Sequence, residues 1–231
     1  MKAAALVPCR TGSKGMPNKN FRDLCGKPLW KWTVDAALDS HIFEKIIISS
    51  DGGITNLGTL QPIPDSEIII DNERPKQFAT DKASLDPLLI YYSKKYPEIE
   101  LWCLLQPTSP LRTVKDIQGA YKKICNDKYD SLVTVTPGTC MYWIKNAIGV
   151  KNKTFPIATY HIHKRPNRQD RAEWFREVGL IYFTKKYVLV KTECRLGGAI
   201  ALYNIPKKRS FSINDEIDWP ICEMMLRNGK K

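Results

Sequence analysis

The chain has 231 residues, 43% of them hydrophobic, which is enough for one packed α/β domain with a small inserted subdomain. A net charge of +12 suits a polyanionic partner: nucleic acid, nucleotide, anionic sugar or anionic lipid. No apolar run approaches the roughly 18 residues needed to span a bilayer, and seven scattered cysteines without a C-x-x-C pair argue against a disulfide framework or zinc knuckle.

In chain order, Ala3 to Pro8 reads as a buried strand. Met1-Lys2 leads straight into it, so no signal peptide is expected, and the scattered cysteines point to a reducing cytoplasm. Pro28 opens a helix whose Leu29, Trp32, Thr33, Ala36 and Ala37 share a face. Ile46-Ile47-Ile48 and Glu67 to Ile70 are short strands. Leu85, Leu88, Leu89, Tyr92 and Tyr96 mark an amphipathic helix ending before Pro97, and Leu101 to Leu105 is a buried strand. Thr113 and Asp116 form a T-x-x-D capping box for a helix carrying Ile117, Ala120, Tyr121 and Ile124. Leu132 to Val135 is a strand.

From about Thr139 to Arg171 the period breaks down, and this stretch reads as an excursion from the main sheet. Its His161 and His163 lack metal-ligand company and are read as structural or interface residues. Ile181-Tyr182-Phe183 and Ala199 to Tyr203 return to strands. The tail from Asp215 is a helix, with Ile217, Ile221, Met224 and Met225 on or near one face. The order β-α-β-β-α-β-α-β predicts a mostly parallel sheet flanked by helices.

The first strand empties into Cys9-Arg10-Thr11-Gly12-Ser13-Lys14-Gly15, followed by Lys19-Asn20. A strand, a glycine loop and spaced cations describe a phosphate cradle. Neither the Walker A spacing nor G-x-G-x-x-G is present. No RNA-recognition, helix-turn-helix or zinc-finger signature occurs, so the charge is read as serving a nucleotide and not nucleic acid. A non-catalytic basic protein that binds nucleic acid stands as the other class, distinguished by steep salt dependence.

Five segments, in order, resemble the CMP-sialic acid synthetase (acylneuraminate cytidylyltransferase) family. They are Arg10-x-x-Ser13-Lys14-Gly15-x-x-x-Lys19-Asn20, Ile48 to Gly53 with Arg74-Pro75 to Ser84, Gln106-Pro107-Thr108-Ser109-Pro110-Leu111-Arg112, Arg168-Gln169-Asp170 to Tyr182, and Ser210 to Glu223. The resemblance implies a Rossmann-like nucleotidyltransferase fold in a single domain over 1–231, with a dimerisation excursion at about 139–171. It implies transfer of CMP from CTP to an acidic nonulosonate sugar, with pyrophosphate leaving. CMP-Kdo synthesis, or guanylyl transfer to a related acid such as legionaminate, is the alternative. A catalytically weakened nucleotide binder is also open.

By the same resemblance Arg10, Ser13, Lys14, Gly15, Lys19, Asn20, Arg74, Thr80 and Ser84 bind the nucleotide, with Arg10 and Lys19 also catalytic. Lys14 reads equally as a solvated loop lysine, Arg74 as a surface arginine, and Asp81 or Ser84 as a helix cap. Gln106, also placed in catalysis, and Lys145, Arg168 and Arg176 serve the sugar, the last three suiting its carboxylate. A homodimer follows, with no membrane partner. The family's two acids for Mg²⁺ are replaced here by Ser212 and Asn214. Asn214, Asp215 and Asp218 are the candidate ligands, although Ser212 and Asp215 also spell a capping box.

Overall fold

Six apolar residues, Ala3–Pro8, form strand β1, and every one is buried. In this computed structural model, which describes residues 1–12, 16–52, 54, 66–80, 82–126, 128–138, 142–147, 155–164, 167 and 174–229, β1 lies between two parallel neighbours. The elements follow as β2 (Asp23–Leu24), β3 (Lys27–Pro28), α1 (Leu29–Leu38), β4 (Lys45–Ser49), β5 (Glu67–Asp71), α2 (Leu85–Lys95), β6 (Leu101–Leu104), α3 (Val114–Ile124) and β7 (Ser131–Pro137). Then come β8 (Trp143–Ala147), β9 (Phe155–Ala158), β10 (Phe175–Lys185), α4 (Lys186–Thr192), β11 (Ile200–Asn204) and α5 (Asp218–Asn228).

The main sheet has seven strands in the order β11-β7-β10-β6-β1-β4-β5. Only β10 runs antiparallel to its neighbours. Alternation along β1 divides the core. Ala3, Ala5 and Val7 pack with Trp30, Val34 and Ala37 of α1 and Ile117 and Ala120 of α3. Ala4 and Leu6 face Leu88, Leu89 and Tyr92 of α2 and Leu189 of α4. A third cluster holds Met16, Leu24, Leu29, Leu111, Ile213, Trp219 and Cys222, seating α5 beside the first loop.

The expected sheet and helices are present, with α4 and the small β2–β3 pair added and three further differences. The strand around Ile181 is longer, Phe175–Lys185, and irregular. Its register against β7 slips between Glu177 and Tyr182, so Val178 to Ile181 stand opposite Thr134 alone. Within the excursion, β8 and β9 pair as an antiparallel two-stranded sheet. The last helix begins at Asp218 and not Asp215, and buries Trp219 and Cys222 while Ile217 and Met224 are exposed. Pro220 sits in its first turn, where no intrahelical N–H is needed.

Candidate active site

After β5 the chain crosses by α2 to β6, on the far side of β1 from β4. The direction of winding therefore reverses between β1 and β6. Ligands of open α/β sheets bind at such a reversal, outside the C-terminal strand ends. A cavity of about 300 Å³ lies there, lined by Arg10, Lys19, Asn20, Arg74, Thr80, Gln106 and Asn214 together with Pro8, Phe78, Thr108 and others. It thus gathers residues from four of the five motif segments. Its described lining carries three cations and no carboxylate.

The first loop is held from several sides. The Cys9 amide donates to the Ser49 carbonyl at 2.7 Å, extending the sheet by one bond, and the Thr11 amide donates to Asp51 Oδ1 at 2.7 Å. Asn20 is buried, and its Nδ2 donates to the Arg10 carbonyl at 2.9 Å. Asn18 adopts a left-handed conformation (φ 53°) that turns the chain into Lys19. Lys19 Nζ donates to the Ile213 carbonyl at 2.9 Å. Burial, with Arg10 adding repulsion, holds the Lys19 pKa below the ordinary lysine value against the pull of Asp215 and Asp218.

Arg74 is buried and not the surface residue its sequence allowed. Its Nε donates to Ser49 Oγ at 3.0 Å and its Nη2 to the Ser49 carbonyl. Behind it the Tyr92 hydroxyl lies 2.8 Å from Ser49 Oγ and 2.9 Å from Asp71 Oδ2. Sequence reasoning assigned no site role to Tyr92 and Asp71, which lie in no quoted segment, or to Ser49, which lies in one. It also passed over Phe78 and Thr108, although both lie inside quoted segments.

Gln106 follows β6 at the pocket wall. Its carbonyl accepts from Arg112 Nη2 at 2.8 Å. Arg112 is buried and also donates to the Leu180 carbonyl and to Thr33 Oγ1 at 3.0 Å. Burial lowers its pKa to about 10. This arginine braces α1, β10 and the Gln106 loop together.

Other expected residues lie apart. Ser84 accepts the Asp86 amide at 3.3 Å as the N-cap of α2, the capping alternative, and does not line the cavity. Arg176, in the exposed start of β10 at 175–177, contacts Ser210 Oγ through Nη2 at 3.3 Å, and Lys145 is exposed on β8. Ser13, Lys14, Gly15 and Arg168, as well as Asp81, fall outside the described residues.

The metal candidates divide. Asn214 lines the cavity. Asp218, the first residue of α5, reaches back: its Oδ2 accepts the amides of Asn214 and Asp215 at 2.8 and 2.9 Å and ties the preceding turn to the helix. The expected Ser212–Asp215 capping box is not what starts this helix; Ser212 Oγ instead donates to Thr108 Oγ1 at 3.1 Å. Among the described residues no group of three His, Cys, Asp or Glu side chains forms a metal cage. A magnesium ion carried mainly by phosphate oxygens keeps several waters and takes few protein ligands, most often carboxylates. Asn214 can offer such an ion a neutral carbonyl oxygen, and the described cavity lining adds no carboxylate.

A family model described as cytidylyltransferase matches residues 4–55. N-acylneuraminate cytidylyltransferase A of Danio rerio is 30% identical over 227 residues, covering 98% of this chain and 51% of its own. The N-acylneuraminate cytidylyltransferase of Escherichia coli O18:K1:H7 is 30% identical over 223 residues, 96% of this chain and 51% of its own. This chain therefore spans about half the length of the curated relatives it matches. The similarity announced by the motifs runs along nearly the whole chain. Among solved structures, a CMP:2-keto-3-deoxy-manno-octonic acid synthetase complexed with CTP has a TM-score of 0.70 at 15% identity, covering 99% of this chain and 100% of its own. A 4-diphosphocytidyl-2C-methyl-D-erythritol synthase from Anaerococcus prevotii has a TM-score of 0.66 at 11% identity, covering 98% of this chain and 96% of its own. These two likenesses concern the fold, which is Rossmann-like, as expected.

Proposed function

We propose that this chain is a cytidylyltransferase that activates a sialic-acid-like nonulosonic acid: CTP + acid sugar → CMP-sugar + pyrophosphate. The observation that carries the reading is the cavity at the β1/β6 reversal, whose lining includes Arg10, Lys19, Arg74, Gln106 and Asn214. The similarity to N-acylneuraminate cytidylyltransferases supports the choice of nucleotide and acceptor class.

In-line attack of a sugar hydroxyl on the α-phosphorus needs alignment and charge stabilisation more than covalent catalysis. Arg10 and Lys19 meet the triphosphate and the charge that develops on the leaving pyrophosphate. Arg74, fixed by Ser49, supports the pocket for the nucleoside. The Gln106 amide both donates and accepts, which suits the hydroxyls of an acceptor sugar. Magnesium, bound largely by the triphosphate with Asn214 as a neutral protein oxygen, would offset phosphate charge.

The exposed apolar residues Trp143, Ile144 and Ile157 on the β8–β9 hairpin support self-association, with Lys145 on the same strand meeting the partner's sugar site. Sedimentation should find a dimer that Ile144→Glu dissociates. A cytoplasmic setting agrees with six unpaired cysteines among the described residues, three of them buried. No described helix is long and apolar enough to cross a membrane.

The test is pyrophosphate release with Mg²⁺ across CTP, GTP, UTP and ATP, each with sialic, legionaminic, pseudaminic and Kdo acids. CTP-dependent release with a nonulosonic acid is expected. Release with Kdo alone moves the activity to the alternative acceptor. Silence with CTP still binding leaves a nucleotide binder.

A further inference from the structure

The irregularity in β10 is built and held in place. Thr134 Oγ1, buried on β7, donates to the Val178 carbonyl at 2.6 Å and accepts the Ile181 amide at 3.1 Å. Arg112 Nε donates to the Leu180 carbonyl at 2.9 Å, and its Nη2 reaches both that carbonyl and the Gln106 carbonyl. One arginine therefore sets the bulge and the Gln106 backbone relative to each other. The residue between these two anchors is Gly179.

A methyl group built on Gly179 would overlap Gln106 Oε1, lie 3.0 Å from Cδ and 3.5 Å from Nε2. The Gln106 amide thus rests against the bare Cα of Gly179. The obstructed group is the far end of a flexible side chain. An added methyl is accommodated by moving the amide, with the backbone left where it is.

We infer that Gly179 is a positioning residue, whose lack of a side chain fixes the Gln106 amide where the acceptor sugar is read. The inference rests on the acceptor role proposed for Gln106. It goes further in assigning the precision of that role to a bulge on another strand. Displacing a positioning group by about 1 Å costs on the order of tenfold to a hundredfold in rate.

The experiment compares Gly179→Ala, Gln106→Ala and the double variant. Gly179→Ala should raise KM for the acid sugar, or lower kcat/KM for it, by about tenfold or more, with KM for CTP within about twofold. In the Gln106→Ala background the same glycine substitution should add nothing, because the group it displaces is gone. A loss that persists in that background, or that falls equally on CTP, overturns the inference. So does a wild-type KM in Gly179→Ala.

A second readout does not need turnover. The Gln106 side-chain amide resonances, identified by their loss in Gln106→Ala, should shift in Gly179→Ala. Unmoved resonances overturn the inference. If wild type releases no pyrophosphate but the resonances move, the proposed reaction falls while the positioning stands. Should Gly179→Ala fail to fold, the double variant decides. Recovery of folding there supports the clash with Gln106, and failure of both places the fault in the backbone.

Discussion

Lys19 Nζ donates to the carbonyl of Ile213 across 194 residues of chain, tying the first loop to the segment that carries Asn214. The same ammonium lines the cavity. It is a latch and, in the proposed reaction, the group that meets the triphosphate, and its proton is held less tightly than in an ordinary lysine because it is partly buried beside Arg10.

That depressed pKa gives a pH prediction with a definite sign. The folded value lies below the unfolded 10.5, so the cost of burying the charge is full below the folded pKa and is relieved as pH rises toward 10.5. Binding runs the other way, since a neutral amine attracts no phosphate. CTP affinity in wild type should fall on the alkaline side beginning below pH 10.5. In Lys19→Arg that limb should move up, and Lys19→Met should lose about tenfold or more in affinity at neutral pH. Calorimetric titration of CTP across pH checks all three.

Arg74 depends on a chain of groups behind it. Tyr92→Phe removes the hydroxyl shared by Ser49 and Asp71 and should cost about 1–2 kcal/mol in denaturant unfolding. Burial works against the Asp71 charge, but bonds from Tyr92, the Glu73 amide and Lys95 outweigh it, so its pKa falls below 3.8. The stability due to that carboxylate is present above its unfolded value and lost as pH falls through the lower folded value. The penalty of Tyr92→Phe should accordingly be full at neutral pH and shrink below about pH 3.8. KM for CTP should rise severalfold as Ser49 loses its support for Arg74.

The parts read correctly from sequence are those set by local chemistry. Thr113 and Asp116 do form the reciprocal box, with bonds of 3.2 and 3.0 Å, because both partners lie within one turn. The apolar run at Ala3 and the cations after it announce β1 and the cavity for the same reason. What stayed hidden depends on distant partners. Ser212 and Asp215 have box spacing, yet Ser212 Oγ turns to Thr108, Asp218 takes the Asn214 and Asp215 amides, and the helix starts at Asp218. Arg112 is legible only as the end of a motif segment, because its partners Thr33, Leu180 and Gln106 converge on it from separate elements. Gly179 interrupts the alternation of β10, so the bulge that sets Gln106 reads only as a weak strand.

Arg112→Lys should be more damaging than its conserved charge suggests. An ammonium cannot reproduce a planar fork that reaches Thr33, Leu180 and Gln106 at once. With buried acceptors left short of donors, a loss of about 3 kcal/mol is expected, read as a lower denaturant midpoint at unchanged slope. A drop under about 1 kcal/mol would show that the brace is dispensable.

If the proposed reaction uses Mg²⁺, the neutral residues at 212 and 214 should make its metal dependence adjustable. Asn214 lines the cavity, while Ser212 lies 3.1 Å from Thr108 Oγ1 at its edge. Asn214→Asp adds a charge where a neutral oxygen stood. Without metal, that carboxylate repels the triphosphate and CTP binding should weaken. With Mg²⁺ the repulsion becomes attraction, so the half-saturating Mg²⁺ concentration should fall by about tenfold, and further with Ser212→Asp added. Calorimetry of CTP with and without Mg²⁺ separates the two effects. A variant that weakens CTP binding equally in both conditions would place residue 214 away from the metal, and the triphosphate would then hold the ion with little help from this loop.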